Sequence, residues 1–144
     1  MGVFKDSEQF YATVGALMDR AKTDPKIGPA IAKAGFIIQF RYSDPEAMTT
    51  INAKDKATQT GAFVDVYHGP CSLEPEVVMV MKADVSHTFW HGKTDLMKAV
   101  TQKQIVVEKG SLLKVLKLLP TVAPLYKIYP VMLKELGFTS LILK

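Results

Sequence analysis

Hydrophobic side chains recur along this chain at two spacings, and the switches between them mark the elements. Phe10, Tyr11, Val14, Leu17, Met18 and Ala21 fall on one face of a helix that Ser7 is placed to cap. Asp24-Pro25 stops that helix and starts a short second one with Ile27 and Ile31 inward, until Gly35 releases the chain. The period then becomes two. Phe36, Ile38, Phe40 and Tyr42 alternate with Ile37, Gln39 and Arg41, which predicts a strand with one well-buried face. Ser43-Asp44-Pro45-Glu46 reads as a turn, residues 48–53 as a return strand, 54–61 as a polar connection and 62–67 as a third strand, together an antiparallel meander. Val77, Val78, Met79, Val80 and Met81 are apolar without alternation, so the next strand is expected to be covered on both faces, central in the sheet or lining a cavity.

The second half is mostly helical in pattern. Asp84 is placed to cap a helix carrying Val85, Phe89 and Trp90, which Gly92 ends, and Thr94 to cap another with Leu96, Met97 and Val100 inward. A last strand over 105–107 leads to Gly110-Ser111, where Ser111 caps a helix bearing Leu112, Leu113, Val115, Leu116, Leu118 and Leu119, an apolar face wider than one stripe. Pro120, Pro124 and Pro130 are expected to divide the remaining segment into short helical pieces bearing Leu125, Tyr126, Ile128, Tyr129, Val131, Met132, Leu133 and Leu136, closed by Gly137. These elements predict an α+β fold in one domain over residues 1–144: a mostly antiparallel sheet of about five strands covered by helices, with an N-terminal helix in 1–24 and a helical lid in 111–137.

From about Pro25 to Leu119 the order of elements resembles the sterol carrier protein 2 family of lipid-binding domains. The resemblance is carried by the three-strand meander and by Glu76-Val77-Val78-Met79-Val80-Met81-Lys82-Ala83-Asp84 entering a helix. The passage from Phe89-Trp90-His91-Gly92-Lys93 to Leu96-Met97-Lys98-Ala99-Val100 and the strand Ile105 to Gly110 complete it. The family's pattern is one of apolar positions and a few glycines, not a catalytic triplet. Gln102 stands where members often have Gly, and Ile105 to Gly110 is one residue longer than the usual strand, a length that a bulge absorbs. The resemblance implies an apolar tunnel lined by Met79, Met81, Phe89, Met97, Leu112, Leu116, Tyr126 and Met132. It also implies non-enzymatic binding, and transfer between membranes, of a fatty acid, acyl-coenzyme A, sterol or isoprenoid, with no cofactor.

Composition fits that expectation without selecting the ligand. The chain has 144 residues, 48% hydrophobic and 22% charged, enough for a core without disulfide or metal. The lone Cys71 suits a reducing compartment, Asp6 stands where a myristoylation signal needs Ser or Thr, and no apolar run approaches the roughly 20 residues that span a bilayer. A cytoplasmic location is expected. The net charge of +4 comes entirely from the second half, and Lys109, Lys114, Lys117, Lys127 and Lys134 follow one another with no carboxylate between them. Lysines among leucines point to peripheral contact with an anionic membrane. Nucleic acid is not expected as a partner, with only Arg20 and Arg41 for arginines.

Two clusters carry candidate chemistry. Asp84, His87 and His91 fall at i, i+3 and i+7, so a helix brings them to one face, as a zinc site would need. The competing reading makes Val85 and Phe89 the buried side and these three the solvated side, with Asp84 spent as a cap, and it is the one preferred. Cys71 lies near His68 and Asp65, a grouping that invites a nucleophile and a base, but on a strand Asp65 points away from His68 and no helix N-terminus is evident to activate the thiol. No catalytic or metal-binding residue is therefore assigned. A metal- or thiol-dependent enzyme and a lipid-free dimerisation or interaction module stand as the alternatives. The methionines Met48, Met79, Met81, Met97 and Met132 fall in apolar elements, where they serve either as core filling or as an adaptable lining.

Overall fold

A computed structural model describes residues 2–143. Its five strands are β1 Ile37–Ser43, β2 Ala47–Asn52, β3 Asp65–His68, β4 Val77–Lys82 and β5 Ile105–Lys109, in the spatial order β3-β2-β1-β4-β5. All pairs are antiparallel except β1 with β4, which run parallel. β4 thus lies inside the sheet between β1 and β5, as its unbroken apolar run requires. The meander β1-β2-β3 is present, with a shorter third strand than the expected 62–67. The Phe63 amide donates to Lys22 O at 2.8 Å, which ties residues before Asp65 to the end of a helix and not to the sheet.

Alternation assigns the two faces. Ile38, Phe40 and Tyr42 of β1 stand beside Val77, Met79 and Met81 of β4, and Ile105 of β5 pairs with Met81, all on one face, here the inner face. Gln39, Arg41 and Val78 fall on the outer face. Between Val78–Lys109 and Met79–Val107 the register jumps by one, leaving Glu108 as the extra residue of a β-bulge. That is where the extra residue of the last strand is accommodated.

The helices are α1 Ser7–Phe10, α2 Ala16–Thr23, α3 Ile27–Ala34, α4 Ala83–Trp90, α5 Leu96–Thr101, α6 Leu112–Val122 and α7 Leu125–Glu135, with a π turn Tyr11–Gly15 joining α1 to α2. Phe10, Val14, Leu17 and Met18 are buried, as their spacing predicts. Two caps differ by one position from expectation. Asp6, not Ser7, caps α1, accepting from Gln9 N at 2.8 Å, while the Ser7 hydroxyl donates to Glu46 O at 2.5 Å. Asp95, not Thr94, caps α5, and the Thr94 hydroxyl donates to Thr88 Oγ1 at 2.7 Å. Asp24 accepts from the amides of Lys26 and Ile27, and Ser111 from that of Leu113, as expected.

The prolines do less than their breaker role predicts. Pro120 lies inside α6 and Pro130 inside α7, two helices of 11 residues each, and only Pro124 separates them, at the N-cap of α7. Each proline removes one backbone donor at a locally large cost. Burial of Leu125, Tyr129, Met132 and Leu133 along one face of α7 outweighs it there.

Candidate functional site

The inner face and the helices above it do not close completely. β1 contributes Ile38, Phe40 and Tyr42, β4 contributes Met79 and Met81, and β5 contributes Ile105 to the floor of a cavity of about 70 Å³. Ser86, Phe89 and Trp90 of α4 and Leu96 of α5 form one wall, and Val115, Leu118, Leu119 and Val122 of α6 form the roof. The roof positions recur at i, i+3, i+4 and i+7, one stripe of the wide apolar face of α6. Of the two lining hydroxyls, Ser86 donates to Ala83 O at 2.6 Å and so turns back into its own helix. Burial pushes the Tyr42 phenol up, so it stays protonated at any physiological pH.

Of the residues expected to line a tunnel, Met79, Met81 and Phe89 meet at this cavity. Leu112 and Leu116 are half-buried against the core beside the lining stripe of α6. Met97 is 48% exposed, because Leu96 and Ala99 take the inward face of α5 and leave Met97 about a quarter-turn away. Tyr126 packs its ring 5.5 Å from Phe89 and 6.1 Å from Trp90, outside the lining, and Met132 is buried elsewhere, on α7. The space is a compact cavity in place of the expected tunnel. Tyr42, Ile105 and Leu118 are lining residues that the element pattern alone did not single out. Ile38–Tyr42 alternation placed Tyr42 on the buried face, and that was the available signal.

The histidine face is packed, not solvated. His87 is 1% exposed. Its Nδ1 accepts from the Tyr129 hydroxyl at 2.9 Å and its Nε2 donates to Leu141 O at 2.8 Å. His91 Nδ1 donates to His87 O at 2.8 Å, and its Nε2 accepts from Leu143 N at 3.1 Å. Both imidazoles are therefore held neutral. Burial lowers the His87 pKa to about 4, with the His91 charge acting the same way, and burial also lowers that of His91. Asp84 is not a cap: it lies within α4 and accepts from Val3 N at 2.9 Å. α7 and the C-terminal segment cover the face that helical spacing had assigned to solvent. Among the described residues no three His, Cys, Asp or Glu side chains converge as metal ligands.

Asp65 and His68 diverge as strand geometry requires. Asp65, 3% exposed, accepts from the amides of Thr58 and Gln59 and from the Thr58 hydroxyl. Burial opposes its ionisation, and these donors together hold its carboxyl below the usual range. His68 instead joins Asp19 at 2.9 Å and Thr49 at 3.2 Å. Cys71 lies in the loop that crosses the outer face, beside Pro70 and Ser72. The acid-free lysine run is partly balanced in space: Lys109 reaches Glu74 at 2.6 Å and Lys114 approaches Glu76 at 3.9 Å. Among the described residues no helix is long and apolar enough to cross a membrane.

No protein-family profile matches the sequence, and no curated protein matches it. Solved structures do. The apo form of sterol carrier protein 2 from Yarrowia lipolytica is 15% identical, covering 86% of this chain and 90% of its own with a TM-score of 0.56. The sterol carrier protein domain 2 of Helicoverpa armigera is 17% identical over 88% and 95% of the two chains, with a TM-score of 0.57. A crystal structure of sterol carrier protein 2 gives 12% identity, 82% and 93% coverage and a TM-score of 0.53. At such identities a likeness speaks for architecture, and the five-stranded α+β architecture of this chain is the sterol carrier protein 2 fold.

Proposed function

We propose that the chain binds the apolar tail of a lipid between the inner face of the sheet and α6, and releases it unchanged. The observation that carries this reading is a cavity whose lining is apolar but for the hydroxyls of Ser86 and Tyr42 and the indole N–H of Trp90, roofed by a helix of which only Val115 is fully buried. Structural neighbours named as sterol carriers support lipid as the ligand class. A cavity of about 70 Å³ is far below the roughly 300 Å³ at which ligand pockets begin, so binding requires α6, within the lid segment 111–137, to move outward. A tail of about fourteen methylenes carries on the order of 11 kcal/mol of transfer free energy, against several kcal/mol for association and for opening the roof. The balance leaves at most about 8 kcal/mol, an affinity of about micromolar or weaker, suited to a carrier that collects lipid at one membrane and gives it up at another. The same reading assigns no catalytic group and places the protein in a reducing cytoplasm, where Cys71 remains a thiol.

Trp90, the only tryptophan, lines the cavity and reports on its contents. Mass spectrometry of an organic extract of the purified protein should find lipid, and titration of the delipidated protein with a fatty acid should shift Trp90 emission. Met81→Trp or Leu119→Trp should weaken uptake about tenfold or more while the protein stays folded. An extract without lipid together with unmoved Trp90 emission would overturn the proposal.

A further inference from the structure

A second concavity adjoins the roof of the cavity on its other side. It is a groove of about 370 Å³ between α3 and α6, and Leu118 lines both spaces. Its floor is Phe36 and Leu118, and its rim carries Lys33, Lys114 and Lys117. The sequence builds this arrangement simply. Lys114, Lys117 and Thr121 fall at i, i+3 and i+7 on one face of α6, while Lys33 in the last turn of α3 is flanked by Ala30 and Ala34, small enough to let the two helices approach. Lys114 Nζ stands 5.4 Å from the Phe36 ring centroid. Among the described residues Glu76 is the one carboxylate paired with it, at 3.9 Å, and is shared with Lys54 at 4.0 Å. Lys33 and Lys117 make no ion pair among the described residues. Three ammonium groups around one groove repel each other, and an anion among them relieves that repulsion.

Resting on the lipid-binding reading, we propose that this groove takes the phosphate-monoester head of a single-chain amphiphile whose tail passes Leu118 into the cavity. A phosphate monoester offers close to two negative charges and three terminal oxygens, one for each lysine, where a carboxylate offers one charge and two oxygens. A bulky uncharged head can accept hydrogen bonds from the ammonium groups but brings no charge to offset theirs. Because Leu118 separates head site from tail site, the two halves of such a ligand are recognised by adjacent faces of the same helix.

The test titrates the delipidated full chain with dodecyl phosphate, dodecyl maltoside and dodecyltrimethylammonium, each below its micelle concentration and at low salt, following Trp90 emission. Dodecyl phosphate should bind about tenfold or more tighter than the maltoside, with the ammonium weakest. Inorganic phosphate should compete with dodecyl phosphate without itself moving Trp90 emission. The double variant Lys33→Gln, Lys117→Gln should lose about tenfold for dodecyl phosphate and keep its affinity for the maltoside, which also shows that the cavity is intact. Equal affinity for the phosphate and the maltoside, or a preference that survives the double variant, overturns the head site while leaving the cavity reading in place. If no amphiphile moves Trp90 emission, the cavity reading falls and the head site with it. A double variant that keeps dodecyl phosphate but loses binding to phosphatidylcholine vesicles containing about 20% phosphatidylglycerol also overturns the proposal, since the lysines then serve a membrane surface.

Discussion

Acidification acts on this fold first through His87. In the native protein its imidazole is neutral, donating to Leu141 O and accepting from the Tyr129 hydroxyl, and burial lowers its pKa to about 4 from an ordinary 6.5. In the unfolded chain the same group takes its proton near 6.5. Between these values the unfolded state holds more protons than the native one, so stability is fully present above about pH 6.5 and is lost as the pH falls towards about 4. The difference sets a ceiling of about 3 kcal/mol, and from about pH 7.5 to about pH 5 the expected loss is about 2 kcal/mol. His91, lowered in the same direction, adds to it. Urea unfolding followed by Trp90 fluorescence at the two pH values measures the loss. His87→Gln keeps an amide donor for Leu141 O and cannot titrate, so its stability should change by less than about 1 kcal/mol over the same range. A wild-type protein equally stable at both pH values, or a His87→Gln variant with the full wild-type drop, would refute the reasoning.

Asp65→Ala should cost about 3 kcal/mol in urea unfolding at neutral pH, because the Thr58 and Gln59 amides and the Thr58 hydroxyl lose a buried acceptor. The carboxylate's own contribution is present above its unfolded pKa and leaves only below about pH 4, outside the His87 window. Gly110→Ala should lower stability by about 2 kcal/mol or more, read as a fall in Tm. Gly110 has φ +87°, and a β-carbon there would run into the Glu76 carbonyl and Val77.

What could be read from the sequence was local. The alternation of Ile38, Phe40 and Tyr42 identified β1 and its buried face, and the unbroken run from Val77 to Met81 placed β4 inside the sheet, because both signals depend on neighbours within a few residues. Helical spacing brought Asp84, His87 and His91 to one face correctly. Which face was buried depended on α7 and the C-terminal segment, some 40 to 50 residues further on, and no local pattern carries that. The same limit applied to Pro120 and Pro130, whose local cost is certain and whose compensation is tertiary. The cavity was legible as far as Met79, Met81 and Phe89. Met97, Tyr126 and Met132 sat on elements whose rotation about their own axes is set by packing, so membership of an element did not guarantee a place in the lining.

The bulge at Glu108 bears on how these molecules behave in one another's company. β5 is an outermost strand, and a straight outermost strand offers its free amides and carbonyls to any strand of a neighbouring molecule. With Glu108 inserted, the ladder breaks its register near the end of β5, and the strand finishes on Glu108, Lys109 and the left-handed Gly110. The opposite outermost strand, β3, runs only from Asp65 to His68. Neither border is a good template for intermolecular pairing. A residue that first looks like a surplus in the last strand thus favours separate molecules over stacked sheets.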